Sequence, residues 1–66
     1  MINTIRIERA VQRFTQQQLA ERVQVSRQTI HAIEAGKYVP STVLALKLSA
    51  VFGKKMNDIF ILEEGD

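Results

Sequence analysis

Two closely spaced helix-start signals constrain this chain more than any other feature. Thr15 stands one turn before Gln18, the capping-box spacing in which the threonine oxygen accepts a backbone N–H and the glutamine reaches back to the cap. Ser26 is a second N-cap residue a short way downstream. Between them Leu19, Ala20 and Val23 make an apolar stripe at helical spacing. The pattern predicts a short helix over 16–23, a tight turn at Gln24-Val25, and a second short helix from Arg27 to Ala35. Ile30 and Ile33 are its expected inward anchors, leaving Arg27, Gln28, His31 and Glu34 on the remaining surface. Gly36 suits the left-handed residue that closes a helix.

The flanks extend this reading. Ile7, Ala10, Val11 and Phe14 fall on one helical face and predict a first helix over 4–13 buried along that face. After a loop at Lys37-Tyr38-Val39, Pro40-Ser41 resets the backbone and caps a fourth helix over 42–52, which Gly53 ends. Leu44, Leu48, Val51 and Phe52 form one stripe on it, and Val43, Leu46 and Ala50 form a second, as if a partner subunit covered the other side. Asn57 is expected to cap a single turn through Phe60. The apolar run Ile59-Phe60-Ile61-Leu62 then reads as a lone strand whose free edge pairs with its twin across a two-fold axis.

With 66 residues the chain is read as one domain over 1–66, close to the size at which a core barely suffices. Absence of Cys excludes disulfides and thiolate chemistry, and no apolar stretch approaches the roughly 18 residues of a membrane span. The expectation is a soluble, cytoplasmic protein without membrane association. Net charge is only +2, but the basic residues predominate ahead of an acidic tail, Glu63, Glu64 and Asp66, so a polyanion would bind away from the C-terminus. No enzyme is expected: His31 is the sole histidine, no carboxylate pair shares a shielded face, and no glycine-rich phosphate loop occurs. No metal site or cofactor is expected either.

Two short helices around a tight turn, with polar side chains opening the second, form the geometry that sets a helix into the DNA major groove. The segments Thr15-Gln16-Gln17-Gln18-Leu19-Ala20-Glu21, Val25-Ser26-Arg27-Gln28-Thr29-Ile30 and Ile33-Glu34-Ala35-Gly36-Lys37 resemble the Cro/phage-repressor helix-turn-helix family. Tyr38-Val39-Pro40-Ser41, Leu44-Ala45-Leu46-Lys47 and Asp58-Ile59-Phe60 extend the likeness over nearly the whole chain. The resemblance implies an all-α, five-helix, lambda-repressor-like domain with a short C-terminal β-strand, its helix-turn-helix over 16–35. It further implies base contacts from Arg27, Gln28, His31 and Ala32, of which Arg matches guanine O6/N7 and Gln matches adenine N6/N7. Backbone contacts are implied for Gln16, Ser26, Thr29, Lys37 and Tyr38, and an internal salt bridge for Arg9 and Glu34. The chain departs from the family at Gln24, where Gly is common, and at Ile7-Glu8-Arg9-Ala10, where many relatives place Leu directly before Arg.

The partners expected are double-stranded DNA and a second copy of the chain. Dimerisation is assigned to the segment 56–63, with Leu46, Ile59, Phe60, Ile61 and Leu62 in the interface. The function expected is a transcriptional regulator, a repressor on a palindromic operator. The alternative is an antitoxin that binds a protein toxin and regulates its own operon.

Overall fold

The computed structural model describes residues 1–66. In chain order it comprises β1 (Ile2–Asn3), α1 (Ile5–Val11), α2 (Gln16–Val23), α3 (Arg27–Glu34), α4 (Thr42–Phe52), α5 (Met56–Ile59) and β2 (Phe60–Ile61). The caps set most of these boundaries. Thr15 Oγ1 accepts from the Gln18 N–H at 3.0 Å while Gln18 Oε1 accepts from the Thr15 N–H at 2.9 Å, so the capping box is closed in both directions. Ser26 and Ser41 each accept from the backbone N–H three residues on, at 3.2 Å. Asn57 does not cap α5: the turn starts two residues earlier than such a cap would set it, Lys55 holds the cap position, and no side chain bonds there.

The ends of α1 to α4 share one device, a residue in the left-handed region from which the chain folds back onto the last turn. Gly36 and Gly53 take it with φ of 75° and 64°, but Arg13 and Gln24 take it as well, at 58° and 62°. After α3 the Gly36 N–H donates to the Ile33 carbonyl and the Lys37 N–H to the Ala32 carbonyl, the paired bonds of a Schellman motif. The same pair closes α1, from Arg13 to Ala10 and from Phe14 to Arg9, so this helix stops at Val11 and the chain turns before Phe14.

Ten residues, Ile5, Leu19, Ala20, Val23, Ile30, Ile33, Leu44, Leu48, Phe52 and Ile59, form the buried core. The inward face of α1 is not the one its apolar spacing suggests. Ile7 and Val11 are 62% and 72% exposed and Ala10 is exposed, whereas Ile5 is fully buried with Arg9 on its row. The cause is Arg9, whose ion pair with α3 rotates the helix so that Ile5 and Arg9 point inward together. Along α4, Leu44, Ala45, Leu48 and Phe52 face the core, and Val43, Leu46 and Ala50 lie exposed.

The C-terminal strand is not alone. β2 pairs antiparallel with β1, Ile2 opposite Ile61 and Asn3 opposite Phe60, so one edge of the strand is occupied within the chain. The Thr4 N–H continues the pairing to the Ile59 carbonyl at 2.9 Å. Alternation across the sheet turns Asn3 and Phe60 inward and leaves Ile2 and Ile61 on the outer face. Ile59 belongs to the core with no exposed surface, which removes it from any docking face. The Met1 ammonium lies 3.0 Å from both Glu63 Oε1 and Asp66 Oδ2, so the acidic tail folds back onto the start of β1. Hydrogen bonds to Asp66 and then Glu63 hold that ammonium above its ordinary pKa.

Candidate nucleic-acid interface

The sequence of α3 divides its two faces cleanly. Ile30 and Ile33 are buried against α2, and Arg27, Gln28 and His31 stand exposed at successive positions around the outer side. Ala32 is half-buried at the margin of that side. The α2–α3 crossing is fixed by Leu19, Ala20 and Val23 beneath it, so the outer residues of α3 sit on a rigid support. At the start of α3 the Ser26 and Thr29 hydroxyls share a hydrogen bond of 3.0 Å while Ser26 also caps the helix. Both hydroxyls are therefore engaged within the motif and hold one orientation. Past the end of α3, Lys37 and Tyr38 are exposed on the loop that leads to α4.

Glu34, the last residue of α3, is the electrostatic node of the domain. Its side chain is 2% exposed and receives Arg9 in a two-pronged pair, Nε to Oε2 at 2.8 Å and Nη2 to Oε1 at 3.1 Å. Arg9 Nη1 also donates to the Phe14 carbonyl at 3.0 Å, tying α1 to the segment that enters α2. Gln16 Nε2 reaches the same Glu34 Oε1 at 3.4 Å, which gathers Arg9, Gln16 and Glu34 at one point. Arg6 approaches that oxygen too, with its Nε 3.9 Å away.

Sequence reasoning missed two further supports. Asn3 Nδ2 donates to the Ile33 carbonyl at 2.8 Å, linking β1 to the end of α3. Lys47 Nζ donates to Gln24 Oε1 at 2.8 Å, which pins the helix-turn-helix bend to α4. A two-residue strand and a long-range side-chain bond leave no periodic trace in a sequence. Beside the bend lies a cleft of about 250 Å³, bordered by Gln24, Thr29, Tyr38, Val43 and Lys47. No cluster of His, Asp and Glu is arranged to hold a metal ion, and no helix is long and apolar enough to cross a membrane.

Comparison with known proteins agrees with this geometry. The helix-turn-helix family model matches residues 5–59, from the first residue of α1 to the last of α5. An uncharacterized HTH-type transcriptional regulator of Methanocaldococcus jannaschii is 50% identical over 66 residues, covering all of both chains. Another from Bacillus subtilis is 50% identical over 64 residues, 97% of each chain. A third, from Methanothermobacter thermautotrophicus, is 48% identical over 65 residues, 97% of this chain and 94% of its own.

Proposed function

The chain belongs to the helix-turn-helix family, and from that premise we propose that it is a DNA-binding transcriptional regulator that reads double-stranded DNA through α3 in the major groove. The observation that carries this reading is the division of α3, with Ile30 and Ile33 buried and Arg27, Gln28 and His31 exposed on a braced two-helix support. Arg27 and Gln28, at the leading end, are the base readers, with His31 and Ala32 one turn on. Gln16, Ser26, Thr29, Lys37 and Tyr38 fix the register against phosphates and sugars. The Arg9–Glu34 pair acts inside the protein, on the orientation of α3.

The reading extends to a homodimer on a palindromic operator, with half-sites one DNA turn, about 34 Å, apart. Leu46, Ile61 and Leu62 support it as exposed apolar residues, with Phe60 half-buried behind them. Repression by blocking polymerase access is the outcome such an operator complex favours. Selection from a random duplex pool at fixed salt tests the reading, comparing the wild type with Arg27→Ala plus Gln28→Ala. A palindrome enriched by the wild type alone is the expected result. Salt-sensitive binding with no enriched motif would overturn sequence reading and turn attention to a protein partner.

A further inference from the structure

The charges around Glu34 do not balance. Its single carboxylate is already met by both prongs of Arg9 and by the Gln16 amide. Arg6 adds a second guanidinium at 3.9 Å, too far for a hydrogen bond, and its side chain is 80% exposed. Two arginines therefore share one acid. The outer one keeps its donors turned to solvent.

The position of this surplus charge is specific. Arg6 Nε and Gln16 Nε2 approach the same carboxylate oxygen, at 3.9 and 3.4 Å, which makes the two side chains neighbours. That oxygen belongs to the last residue of α3, which puts the pair on the flank of the helix assigned to the groove. A planar guanidinium with free N–H groups matches the geometry of a phosphate, and contacts flanking a groove-bound helix are made mostly to the backbone. We infer that Arg6 is a further DNA-backbone contact, a sequence-independent clamp beside Gln16. This inference rests on the DNA-binding reading above.

The test needs no operator. Binding of a mixed-sequence duplex a few turns long is followed by fluorescence anisotropy across a salt series. The proteins compared are the wild type, Arg6→Ala, Arg6→Gln, Arg6→Lys and, as a charge control in the link before α5, Lys55→Ala. One lost phosphate contact makes the plot of log affinity against log salt shallower by about one. Arg6→Ala and Arg6→Gln are expected to show that change and a several-fold weaker affinity at low salt. Arg6→Lys and Lys55→Ala are expected to keep the wild-type slope. Because Arg6 lies outside the core, thermal melts of these variants should match the wild type, and Arg6→Gln keeps the length of the side chain should Arg6→Ala melt early. An unchanged slope in both neutral variants overturns the clamp, as does an equal loss in Lys55→Ala. Absence of salt-dependent binding by the wild type is a separate result, which overturns the DNA reading and the clamp with it.

Discussion

Gln24 holds φ at 62° without being glycine, and its side chain explains how the position is tolerated. A left-handed residue that carries a Cβ costs about 1–2 kcal/mol. At Gln24 part of that cost is offset by the bond its Oε1 accepts from Lys47 across to α4. That bond is exposed and replaces bonds that both groups make to water, so its net contribution is small. Gln24→Gly is therefore expected to raise stability by about 0.5–1 kcal/mol, seen as a melting temperature several degrees higher. A fall instead would mean that pinning the bend to α4 outweighs the strain. Arg13, at 58°, has the same backbone conformation and closes its helix as Gln24 does, its own N–H donating to the Ala10 carbonyl and the next N–H, of Phe14, to the Arg9 carbonyl.

Between elements, the Arg9–Glu34 pair decides how α1 lies. Glu34 is almost wholly enclosed, so removing Arg9 leaves a buried carboxylate met only by the long Gln16 contact and the outlying Arg6, a change that costs about 3 kcal/mol or more. Arg9→Ala and Glu34→Ala should each lose that much in urea denaturation. The double change Arg9→Met with Glu34→Leu should recover most of it, because an apolar pair of similar volume needs no desolvation of charge. Single losses below about 1 kcal/mol would make the pair equivalent to a surface bridge. The same pair marks the limit of what the sequence made legible. Caps act over one turn, so Thr15, Ser26 and Ser41 could be read directly, and with them α2, α3 and α4. Ile7, Ala10 and Val11 satisfied helical spacing equally well, but the inward face of α1 was set by a residue on α3, far along the chain. β1 was hidden for a related reason. Two residues carry no period, and Ile2–Asn3 become a strand only because β2 returns to pair with them. At the site, the exposed positions of α3 followed from Ile30 and Ile33 alone, whereas the supports from Asn3 and Lys47 depended on tertiary neighbours.

For the molecule as a whole, the unresolved balance is apolar surface. Ile2 and Ile61 face outward as cross-strand partners, Leu62 beyond them is 76% exposed, and Val43 and Leu46 lie open on α4. α4 holds a single charged residue, Lys47, whose ammonium is drawn to Gln24 at the bend. Charge depletion around exposed aliphatic residues is the compositional mark of an interface core, and a second copy is the partner proposed for it. Ile7 and Val11 on α1 offer a competing apolar surface. Leu62→Lys and Ile7→Lys separate the two, because each alters an exposed side chain outside the core and should leave the fold intact. Sedimentation should show Leu62→Lys as a monomer at concentrations where the wild type is a dimer, with Ile7→Lys still dimeric. Operator affinity should fall steeply for the first and little for the second, since a monomer holds one half-site without the help of the other. If Ile7→Lys dissociates and Leu62→Lys does not, the two-fold axis lies against α1. The spacing of the two α3 helices, with the operator length derived from it, would then have to be rebuilt around that axis.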